Sequence, residues 1–145
     1  MKTENELLLY IYQDSKMATT NLTTLLKTIT DKDNKIKKTI EEILTEYEKY
    51  LKESEKLLKK QDIEPKEKSI IANISSKMGI KSEIAKDNSD SRIADMIIKG
   101  LSMGSIDMQK KIDNFKDVTD KKIIDLAKKL KSFQEKQIEE LKKYL

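Results

Sequence analysis

A chain of 145 residues has the length of one domain, and its 39 % charged residues, 5 % aromatics, three glycines and one proline suit long helices rather than a sheet. Without cysteine or histidine it has no disulfide framework, no thiolate metal site and not the commonest general base, so most catalytic templates fail and no cofactor is expected. The 30 basic and 26 acidic residues leave a formal charge of +4, carried by lysines with Arg92 as the one arginine; neither nucleic-acid recognition, which favours arginine and exposed aromatics, nor a membrane span of about 18 apolar residues is supported.

Thr3-Glu4-Asn5-Glu6 has the S/T-x-x-E form of a capping box, and Leu7, Leu8, Ile11, Ala18, Leu22, Leu25, Leu26 and Ile29 follow on one face. The first helix is expected from about Glu4 to Ile29. The N-terminal apolar patch in MKTENELLLYIYQ is too short and too promptly charged for a signal peptide, so a cytoplasmic protein is expected. The turn TDKDN, with Asp33 or Asn34 as N-cap, leads to a second helix ending near Lys60, with Ile36, Ile40, Ile43, Leu44, Tyr47, Leu51, Ser54 and Leu58 spaced by threes and fours. So short a connection predicts an antiparallel hairpin.

Pro65 marks the start of a shorter third helix, whose stripe of Ile70, Ile71, Ile74, Met78 and Ala85 is interrupted by lysines and open to a bend at Gly79. At about 20 residues, or roughly 30 Å, it can serve as a crossover between helix pairs. Asn88 to Ser91 then start a fourth helix along Ile93, Ile97, Leu101, Gly104, Met108, Ile112 and Phe115. A fifth follows KDVTD along Ile123, Leu126, Ala127, Leu130, Phe133, Ile138, Leu141 and Leu145. The four long helices, near 40 Å each at about 26 residues, predict an all-α bundle that occupies residues 1–145 as a single domain.

Polar residues stand on these stripes at mid-length. Gln134 lies between Leu130 and Ile138 with Gln137 beside it, and both amides are expected to be buried and hydrogen-bonded across helices. The first helix offers Asp14 and Ser15, the second Tyr47 and Tyr50, and the fourth Gly100, Gly104 and Asp107. These define a candidate mid-bundle polar layer of Asp14, Ser15, Tyr47, Tyr50, Asp107, Gln134 and Gln137. The bland reading of the amides is a pair that fixes helix register, and that of the tyrosines is core residues with hydroxyls reaching a partner.

Two helix pairs, a long connection and this layer resemble the ferritin-like four-helix-bundle proteins, where two glutamates and two Glu-x-x-His motifs bind two metal ions. Gln134-Glu135-Lys136-Gln137 stands at the Glu-x-x-His spacing, Tyr47-x-x-Tyr50 occupies the other slot, and glycine lies near the slot of the fourth helix. The resemblance therefore implies an antiparallel, ferritin-like four-helix bundle that has lost its metal, with neither catalytic nor metal-ligating residues.

Gly100 and Gly104, one turn apart, each cost roughly 1 kcal/mol of helix stability against alanine. Their expected role is to make room for packing around Tyr47 and Tyr50, with leucine at 104 strongly destabilising and alanine mild. The alternative is a close-contact surface of Met96, Gly100, Met103 and Gly104 for a second copy or a partner helix. The function expected is a non-catalytic structural or protein-interaction module that self-associates. Two alternatives are an oxidase-like or metal-binding relative using a carboxylate-only site, and a carrier of a small apolar ligand in a cavity lined by Met103, Met108 and Tyr47.

Overall fold

The computed structural model describes residues 5–65 and 79–145. Among them the chain is all-α: α1 (Glu6–Thr28), α2 (Lys37–Lys60), α3 (residues 79–86), α4 (Asp90–Phe115) and α5 (Lys121–Leu141), with single 3-10 turns at Lys116–Val118 and Lys142–Tyr144. The apolar stripes read above face one core, in which Leu7, Leu8, Ile11, Ile40, Ile43, Leu58, Ile84, Ile93, Met108 and Leu130 are each less than 2 % exposed. No described helix is long and apolar enough to cross a membrane.

Helix ends follow local chemistry, with one departure from expectation. Ser89 caps α4 by accepting from Arg92 N at 3.1 Å, and Asp120 caps α5 by accepting from Lys122 N at 3.2 Å. α2 instead begins at Ile36 with no side-chain cap. Asn34, expected there, turns outward, and its Nδ2 donates to Asn88 O and Asp90 Oδ1, both at 2.8 Å. α2 ends in a Schellman turn in which Ile63 N donates to Leu58 O and Asp62 N to Lys59 O, which puts Asp62 at φ 55° where glycine is usual. The capping box at Thr3 and Glu4, the helix start after Pro65 and the bend at Gly79 involve residues outside those described.

The direction of each helix follows from reach. The connection 29–36 spans at most about 28 Å, short of the roughly 36 Å length of α2, so the extensively packed α1 and α2 run antiparallel. The same holds for α4 and α5 across 116–120. Thr39 on α2 meets the hydroxyl of Tyr144 at 2.7 Å, and Tyr47 meets Phe133, so α2 begins beside the end of α5 and runs against it. The Asn34 and Asp90 bond puts the starts of α2 and α4 at one end. The order is therefore up, down, down, up, with the end of α2 and the start of α4 at opposite ends of the bundle. α3 is tied to α4 by Arg92, which pairs with Glu83 and, at 3.1 Å, with Asp95.

Candidate functional site

At mid-height the amide of Gln134 is fully buried, and its Nε2 donates to Asp14 Oδ2 at 2.9 Å and to Tyr47 OH at 3.1 Å. The orientation is chemically determined, because the opposite flip would set the amide oxygen against a carboxylate. Both Nε2 hydrogens are thus used, while Gln134 Oε1 and the Oγ of buried Ser15 meet no partner among the described residues. Phe133 holds Tyr47 in place, edge to face at 5.2 Å between centroids, and stacks on Tyr50 at 5.8 Å.

Gly104 is what admits this amide. A Cβ there would lie 2.7 Å from Gln134 Nε2, 3.4 Å from its Cδ and 3.5 Å from Asp14 Oδ1. The missing side chain makes room for Gln134 and Asp14, which corrects the expectation that Tyr47 and Tyr50 needed it. Tyr47 and Gln134 come from residues 87 apart in sequence, so no local pattern could reveal the contact.

Other expected members lie outside the cluster. Tyr50 and Gln137 are half-buried and Asp107 is exposed, because each sits at the margin of its stripe where water replaces a helix partner. Gln137 lines a surface groove beside Lys136 rather than joining Gln134. Of the glycine-centred surface, Gly100 and Met103 are exposed and Met96 half-buried, while only Gly104 is buried. Tyr10 was missed, although it lies one turn before Asp14 on α1. Its pKa is raised by burial first, then by the charges of Asp14 and Asp107. Burial, then Asp14, raises Tyr47 strongly, and burial and Glu46 raise Tyr50.

These groups do not fit a di-metal centre. Asp14 is the one carboxylate bonded to the cluster, the amide presents hydrogens rather than a lone pair to it, and the phenol is held in its protonated form. Among the described residues no three acidic side chains converge as a metal site would require.

Beside the cluster, a cleft of about 210 Å³ opens along the seam between α1 and α4. Buried Ile43 and Tyr47 of α2 belong to its inner wall, and half-buried Met17, Asn21 and Met96 with exposed Gly100 belong to its mouth. Asp14 joins the lining, so the cleft and the polar cluster share two residues. Met103 and Met108, expected around such a cavity, are not part of it. Comparison with family models, with curated proteins and with solved structures finds no match to this chain.

Proposed function

We propose that the chain is a non-catalytic, ferritin-like four-helix bundle that serves as a structural or protein-interaction module and pairs with a second copy of itself in the cytoplasm. The up, down, down, up course of the long helices and their polar mid-layer support the ferritin-like reading. In this reading the amide, carboxylate and phenol of Gln134, Asp14 and Tyr47 stand in place of metal ligands and hold the helices in register. The amide hydrogens are spent on the carboxylate and the phenol oxygen, which leaves the outer surface for a partner chain.

The observation that carries the interaction reading is the outer face of α4, where Met103 is 67 % and Ile106 56 % exposed. A single apolar strip on a straight helix is satisfied most simply by the same strip of a second copy, since an isologous pair matches one patch to itself. Static light scattering over a dilution series tests this. A dimer is expected that Met103→Lys and Ile106→Lys convert to a folded monomer with unchanged helicity. A monomer at every concentration, or a dimer indifferent to both substitutions, overturns the reading.

A further inference from the structure

We propose that the cleft between α1 and α4 binds a small neutral molecule with an aromatic or branched apolar body and one oxygen acceptor. Its volume of about 210 Å³ exceeds the roughly 150 Å³ of an apolar cavity that takes up benzene, so eight to ten non-hydrogen atoms, roughly, can enter. The walls are those of an apolar pocket, with Leu22, Leu25, Ile43 and Ile97 among the lining residues.

Two observations give the occupant its chemistry. Tyr47 accepts from Gln134 Nε2, and its own hydroxyl hydrogen has no acceptor among the described residues. A buried phenol that keeps its proton is a donor waiting for an oxygen. The Asp14 carboxylate beside it repels an anion, while an ammonium has only hydrogens to offer and no lone pair to accept the one from Tyr47. A neutral carbonyl or hydroxyl compound is what remains.

Gly100 supplies an independent argument. Gly104 is required by the Gln134 amide, but a Cβ at 100 would meet no atom of the described residues within 4 Å, so close packing at that point does not demand glycine there. Glycine is a poor helix former, and what its bareness preserves is the open mouth of the cleft. This argument stands whether or not the chain pairs with a second copy.

The test is a titration of the full chain, carrying ¹³C-methyl methionine, with acetophenone, and with ethylbenzene, benzoate and benzylammonium as comparators. Acetophenone is expected to shift Met17 and Met96 saturably while Met103 and Met108 stay fixed. Ethylbenzene should bind about five- to tenfold more weakly for lack of the hydrogen bond, and neither ion should give a saturable shift. Tyr47→Phe should erase the preference for acetophenone. Gly100→Leu, whose Cβ meets no described atom within 4 Å and whose longer chain reaches into the mouth of the cleft, should keep full helicity and lose the shifts, and it decides the matter should Tyr47→Phe fold poorly. Absence of saturable shifts at Met17 and Met96, their persistence in Gly100→Leu, or equal binding of benzoate or benzylammonium overturns the proposal.

Discussion

Replacing Gly104 by alanine adds one methyl group where α4 faces the buried amide, 2.7 Å from Gln134 Nε2. No unstrained contact is that short, so the amide must withdraw and weaken its bonds to Asp14 and Tyr47. Losing a neutral hydrogen bond costs about 1 kcal/mol and one to a charged group about 1.5 to 3 kcal/mol. Alanine returns roughly 1 kcal/mol of helix propensity. The balance is a net loss of about 1 to 3 kcal/mol, where helix propensity alone predicts a gain. Urea unfolding followed by circular dichroism measures it, and at about 2 to 4 °C per kcal/mol the melting temperature should fall as well. The decisive comparison is a double-mutant cycle. In a Gln134→Ala background the clash is gone, so Gly104→Ala should become neutral or stabilising. If Gly104→Ala raises stability in the native background, or costs the same in both, the fit between glycine and amide is not what keeps residue 104 bare.

Four further outcomes are expected. Because the pKa values of Tyr10, Tyr47 and Tyr50 are raised, the folded state holds protons that the unfolded chain loses near pH 10, so stability should fall as pH rises above about 10; spectrophotometric titration at alkaline pH should show late-ionising phenols, and Tyr47→Phe should flatten the dependence. Glu83 is held below its ordinary value of 4.5 by the hydrogen bond and charge of Arg92, so its contribution is complete above that value and is lost as pH falls through the lower folded one; amide protection factors in residues 79–86, taken against the intrinsic rate at each pH, should fall in acid, and Arg92→Ala should remove that dependence. Asp62→Gly should stabilise by about 0.5 to 1 kcal/mol in denaturant unfolding, since Asp62 holds a positive φ that glycine adopts freely. Elemental analysis of protein purified without chelators should find well under one iron, manganese or zinc per chain, and stoichiometric metal lost on Asp14→Asn would reverse the assignment of the mid-bundle cluster.

The helices were legible in the sequence because periodicity is a local property. Apolar spacings of three and four around Ile40, Ile43, Tyr47 and Leu58, and polar starts such as Ser89 and Asp120, act over a turn or two and need no partner. The burial of Gln134 was legible for the same reason, since its place between Leu130 and Ile138 sets its angle on the stripe. What that amide would touch was not. Asp14, Tyr47 and Gly104 reach it from three other helices, and the pairing depends on axial register between segments that for Asp14 and Tyr47 lie 120 and 87 residues away. Angle around the helix explains why Asp107 and Gln137, near the right level, ended outside the cluster, because each lies three residues, and so about 60°, from Gly104 or Gln134. The two glycines are the clearest case. The pattern puts Gly104 at the centre of the apolar face and Gly100 at its edge, but only packing decided what each of them meets. At Gly104 a facing amide fills the space a side chain would take, while at Gly100 no neighbour arrives and the chain is left with an open cleft.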